Sequence, residues 1–156
     1  MSNARPTTDD QTFWDDIEGY CGALSYAPGQ TAQLHISTRA ERYDITIERW
    51  GAERETVWET RDHAGEFHAP PDNADSEGCG WPVSIEVPVD PAWKSGFYIV
   101  TVTAQGSAPD RATAHAGFVV RSRTVRSDPS PNLLVLDTNT WNAYNTWGGR
   151  SLYTGG

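Results

Sequence analysis

From Thr31 onward, apolar residues recur at every second position. Ala32, Leu34 and Ile36 alternate with Thr31, Gln33, His35 and Ser37, and Tyr43, Ile45 and Ile47 alternate with Asp44, Thr46 and Glu48. The same period runs through Val83, Ile85 and Val87, through Tyr98, Val100 and Val102, and through Ala114, Ala116, Phe118 and Val120. A period of two sets one side of each segment against a core and the other toward solvent, which is the pattern of half-buried strands. Pro28-Gly29, Arg49-Trp50-Gly51, Pro70-Pro71, Pro88 with Pro91, and Gly106 to Pro109 punctuate the segments with turn chemistry. No amphipathic helix of useful length intervenes. About seven short strands, each with one face to bury, predict an all-β, immunoglobulin-like antiparallel β-sandwich over residues 19–121, after an N-terminal segment 1–18. Ser95-Gly96-Phe97-Tyr98 resembles the entry to a late strand of such sandwiches, where a tyrosine is usual. Val100 stands where antibody-type domains place a cysteine, so the expectation is the architecture without that disulfide.

Beyond the sandwich the pattern changes. Residues 122–132 (SRTVRSDPSPN) have the composition of a linker. Leu133 to Leu136 is then a continuous apolar run, which predicts a strand buried on both faces, as in a parallel α/β sheet. Ligands of open α/β sheets bind outside the carboxyl ends of the strands, which is where Asp137 to Asn145 would lie as a loop. One strand makes no sheet, so residues 133–156 read as the start of an incomplete α/β domain. Trp141 and Trp147 add apolar area to this segment. Burying an aliphatic side chain gains about 1.5–3 kcal/mol, so the segment is expected to dock on its own sandwich or to drive self-association.

Composition narrows the function. The chain has 156 residues, 37% hydrophobic and 11% aromatic, enough for one folded core. A formal net charge of −9 without clustered Lys or Arg argues against a nucleic-acid partner. No apolar run reaches the roughly twenty residues of a membrane span. The opening residues lack a signal peptide's hydrophobic segment. Cys21 and Cys79 are too few for a disulfide framework, and reduced thiols with a cytoplasmic location are expected.

Most familiar catalytic constellations are missing. His35 and His115 fall on outward strand positions, and His63 and His68 lie on a polar stretch without the spacing of a zinc site, so all four read as surface histidines. Asp72 to Gly78 is acidic but lacks the spacing and terminal glutamate of an EF-hand, and reads as a polar insertion loop. Cys79 between two glycines has no specified base, and Gly148-Gly149 is not a phosphate loop. Among the seven tryptophans, Trp81 and Trp93 flank strands and are expected to plug the sandwich ends. Trp50 and Trp58 fall on or next to strands; a shared outer face would hold sugars by stacking, but burial or a domain interface explains the same residues more readily.

The run Leu134 to Tyr153 (LVLDTNTWNAYNTWGGRSLY) resembles the junction motif of the N,N-dimethylformamidase large (beta) subunit family. Gly78-Cys79-Gly80-Trp81-Pro82 and Trp93-Lys94-Ser95-Gly96-Phe97-Tyr98 are similar to its preceding sandwich region. The resemblance implies a β-sandwich followed by an α/β domain with a glutamine-amidotransferase-like core. That domain hydrolyses a small amide at an iron held by tyrosine and glutamate, hard oxygen ligands suited to ferric iron. It carries a metal-ligand role onto Tyr144 and a substrate-loop role onto Asn139, Trp141, Asn142 and Asn145. The formamidases carry Thr-Tyr-Leu-Ala-Tyr where this chain has Thr140-Trp141-Asn142-Ala143-Tyr144, which places it in a sister branch. The chain is then expected to be the non-catalytic N-terminal sandwich of such an amidohydrolase, inactive alone and partnered by the rest of the catalytic domain or another subunit. The competing expectation is an independent sandwich module that binds a glycan or protein through surface aromatics.

Overall fold

The computed structural model describes residues 16–108, 111–122, 135–144 and 153. Eight strands are present among them: β1 (Ile17–Cys21), β2 (Ser25–Tyr26), β3 (Thr31–Thr38), β4 (Arg42–Trp50), β5 (Arg54–Ala64), β6 (Ile85–Pro88), β7 (Gly96–Ala104) and β8 (Thr113–Val120). Two short helices join them, α1 (Ala74–Glu77) and α2 (Thr138–Tyr144). One sheet has the order β1-β3-β6 and the other β2-β8-β7-β4-β5. The fold is the expected all-β sandwich, and every strand pair is antiparallel except β2 with β8. No described helix is long and apolar enough to cross a membrane.

The alternation in the sequence becomes the core directly. Ile45 lies opposite Val102 and Ile47 opposite Val100, while Tyr98 lies opposite Phe118, all facing inward. Leu34, Ile36 and Val87 close the core from the other sheet. An aromatic column runs through it. Trp93 stacks on Tyr98 at 5.3 Å, Tyr98 on Phe118 at 5.6 Å, and Tyr26 meets Phe118 edge-on at 5.3 Å. Offset stacking and edge contacts of this kind suit the charge distribution of the rings. Tyr98 is the tyrosine anticipated from its position. Its hydroxyl reaches back to Lys94.

Three strands were not expected from the pattern. β1 starts at Ile17, and the chain then crosses to the other sheet, where β2 runs beside β8. β5 is an edge strand of eleven residues rich in charge, and neither of its faces is continuously apolar. Such charges on an edge discourage pairing with another chain. Val83 is 41% exposed and precedes β6 instead of opening it. Ser37 points outward as anticipated, yet it is buried. Its Oγ donates to the carbonyl of His68 at 2.9 Å and accepts from the His68 amide at 2.9 Å, so the connector after β5 covers it. Gly65 opens that connector where a side chain has no room, since a Cβ there would lie 1.9 Å from the Ala40 carbonyl oxygen.

The chain groups into two compact units. One takes Trp14–His68 with Pro82–Asn132, and the other includes Ala69–Trp81 and the residues from Leu133. Trp93 packs on the sandwich core as expected. Trp81 is buried, and its indole donates to the Ala69 carbonyl at 3.4 Å within the second unit. The acidic stretch near Asp72 is not an open loop, because it contains the single turn of α1.

Candidate functional site

Leu133 and Leu134 lie outside the described residues, and the predicted buried strand does not extend through the rest of its run. Val135 is 78% exposed and residues 135–137 form no strand. The expected loop from Asp137 is likewise a helix as far as Tyr144. Its cause is local: the Asp137 carboxylate accepts from the Thr140 amide at 3.2 Å and from its hydroxyl at 2.6 Å. An aspartate three residues before a hydrogen-bond donor is an N-terminal cap, and it satisfies an amide that the first turn leaves unpaired. The same two bonds hold the Asp137 carboxyl below the usual carboxylate range. Asp-Thr-Asn-Thr was therefore a helix start, a signal hidden by the apolar run before it.

The helix decides which candidate residues share a face. Trp141 and Tyr144 stand three residues apart, a spacing that makes neighbours on a helix. Tyr144 is 63% exposed, and its ring stacks on Tyr153 at 4.7 Å with an interplanar angle of 21°. Trp141 and Asn139 are also exposed. The side chain of Asn142, and Asn145 altogether, lie outside the described residues. Tyr153 is thus the aromatic partner of the candidate ligand Tyr144.

Among the described residues no three His, Cys, Asp or Glu side chains gather where they could hold a metal ion. The histidines are engaged elsewhere, and three of them are less solvated than anticipated. His35 stacks on Tyr20 at 4.6 Å and its Nδ1 lies 3.1 Å from the Pro82 carbonyl. His63 meets the Thr60 hydroxyl at 2.9 Å, and His68 approaches Glu66 at 3.9 Å. Cys21 is a free thiol.

Trp50 and Trp58 do not form a shared platform, and Trp58 is accounted for by burial. Trp50 lies opposite Arg54 and Glu48 opposite Thr56, but Ile47 lies opposite Trp58 because the register shifts by one residue between them. A one-residue bulge reverses the face of every side chain beyond it. Trp58 therefore turns inward and packs against the core, while Trp50 stays outside at 49% exposure. The Arg54 guanidinium lies 4.7 Å from the Trp50 ring centroid, occupying a face that a sugar would need.

Two open clefts sit beside this corner, of about 480 and 310 Å³, and both are lined by Arg49 and Glu55. Arg49 donates from Nη2 to the Ser95 carbonyl at 3.2 Å, and its buried Nε has no hydrogen-bond partner. A Cβ on Gly96 would lie 3.4 Å from that Nε, so the glycine permits the close approach of the guanidinium.

A comparison with curated proteins found no match. Residues 44–156, from within β4 to beyond α2, match the family model described as N,N-dimethylformamidase beta subunit-like, C-terminal, and the chain belongs to that family.

Proposed function

We propose that this chain supplies the non-catalytic sandwich, and the entry into the catalytic region, of an N,N-dimethylformamidase-like amidohydrolase. The observation that carries this reading is the extent of the family match, which takes in most of the sandwich together with the α2 segment. The matched model is described as C-terminal, so N-terminal here refers only to the place of the sandwich before α2 in this chain. On this reading α2 presents Tyr144 to the rest of the catalytic domain.

Iron is the metal that family resemblance implies, and the described residues do not assemble a site for it. Tyr144 offers one phenol oxygen, exposed and stacked on Tyr153, with no carboxylate cluster among the described residues to join it. One ligand does not hold a metal against water. No step of amide hydrolysis is therefore assigned to this chain.

The test pairs activity with spectroscopy. Purified chain with added ferric iron should release no dimethylamine from N,N-dimethylformamide and develop no visible phenolate-to-iron absorption. Iron-dependent turnover that disappears in Tyr144→Phe would overturn the reading, because it would place a complete site within these residues.

A further inference from the structure

On the side of β4 that faces the core, Tyr43, Ile45 and Ile47 lie opposite Ala104, Val102 and Val100. The next residue in that row is Arg49, opposite the fully buried Tyr98. Directly opposed residues of an antiparallel pair share a face, so a guanidinium ends an inward row that is otherwise apolar. Its Nη2 donates to the Ser95 carbonyl at 3.2 Å, and its buried Nε has no partner. A guanidinium carries five N–H donors, and a charge drawn partly out of water is costly while those donors go unmet.

Lys94, the single lysine of the chain, stands nearby on the loop that leads into β7. Both cations line the smaller cleft, of about 310 Å³, whose apolar wall is Val57 with the stacked rings of Trp93 and Tyr98. Among the described residues the other basic side chains are occupied. Arg42, Arg54, Arg61 and Arg111 each meet a carboxylate. Arg39 lies over Phe67, and Arg121 donates to Gln30. Arg49 and Lys94 form no ion pair with any described residue, in a chain with 21 acidic and 12 basic residues. Glu55 lines the same cleft and pairs with neither.

We propose that this cleft binds a small monocarboxylate with an apolar body. Arg49 and Lys94 supply charge-assisted donors to its two oxygens, and Arg49 can offer two parallel N–H groups. Trp93 and Val57 cover the apolar part. A concave site of this size, with few convergent polar groups on an apolar wall, is the ordinary form of a small-molecule site. Glu55 narrows the choice, because it would repel a second carboxylate on the same ligand. This inference does not rest on the proposed function.

Benzoate is the probe, and benzyl alcohol is its neutral counterpart. In NMR spectra of the isotope-labelled full chain, millimolar benzoate should give saturable shifts at the Arg49 Nε–H and at the Lys94 and Gly96 amides. Benzyl alcohol should give none that saturate. Lys94→Gln, an exposed change, should weaken benzoate binding roughly tenfold. Arg49→Lys keeps the charge and loses the planar fork, and should weaken it by a similar factor. Lys94→Gln carries the test if circular dichroism shows that Arg49→Lys does not fold. Phthalate, with its second carboxylate, should bind less tightly than benzoate. Absence of saturation, equal response to benzyl alcohol, unchanged affinity in Lys94→Gln, or tighter binding of phthalate would each overturn the proposal.

Discussion

The hydroxyl of Tyr98 donates to the carbonyl oxygen of Lys94 at 2.6 Å, closing a loop of four residues at the start of β7. Tyr98 is fully buried between Trp93 and Phe118, so one side chain ties the loop and fills the core. This is the tyrosine corner of immunoglobulin-like sandwiches, present without the disulfide of antibody domains.

Tyr98→Phe should keep both ring contacts and lose only the hydrogen bond. The bond is only partly buried and Lys94 is exposed, so its loss costs about 0.5–1.5 kcal/mol, and that loss is expected in the unfolding free energy from urea melts. The slope of free energy on urea should stay unchanged, because the same surface is exposed on unfolding. A variant as stable as the parent would mean that water replaces the tyrosine at Lys94.

Gly65→Ala should destabilise the sandwich for a different reason. The added methyl would lie 1.9 Å from the Ala40 carbonyl oxygen and 2.9 Å from the Thr38 methyl. The Gly65 amide is also held at 2.9 Å by Glu41, so the backbone has little freedom to retreat. Overpacking of this sort costs about 1–3 kcal/mol. Gly29→Asn is the comparison: its φ of 89° tolerates asparagine better than most residues, and nothing lies within 4 Å of a Cβ there. Thermal melts that rank the Gly29 variant below the Gly65 variant would contradict the close approach.

What could be read from the sequence follows from which faces are buried. β3, β4, β7 and β8 each bury one side, so their alternation survived in the sequence and located the core. β5 is an edge strand whose Arg54, Glu55, Glu59 and Arg61 leave no apolar period to detect. The register shift beside Ile47 was equally hidden, because no residue type announces it, and it alone separates Trp58 from Trp50. In the tail, the apolar run from Leu133 suggested a strand because period cannot distinguish short apolar elements. The cap at Asp137 was the better guide there, and it makes the segment bearing Tyr144 helical.

The last prediction concerns alkaline pH. Burial pushes the Cys21 thiol up to about 12 from an ordinary 9.0. It also raises Tyr26, Tyr43 and Tyr98 above their ordinary 10.0. In the unfolded chain these groups release their protons near the ordinary values, while the folded chain retains them. The stability they contribute is therefore fully present below about pH 9 and is lost as pH rises toward about 12. Each proton retained only by the folded state steepens the decline by about 1.4 kcal/mol per pH unit. Cys21 titrates first on unfolding, so Cys21→Ala should flatten the early part of the fall, between pH 9.0 and the ordinary tyrosine value of 10.0. The methyl leaves a small void, which lowers stability by a similar amount at every pH and does not alter the slope. Urea midpoints measured from about pH 8 to 11 separate the two effects. Parallel curves for the parent and the variant would show that the Cys21 thiol titrates alike in the folded and unfolded chain.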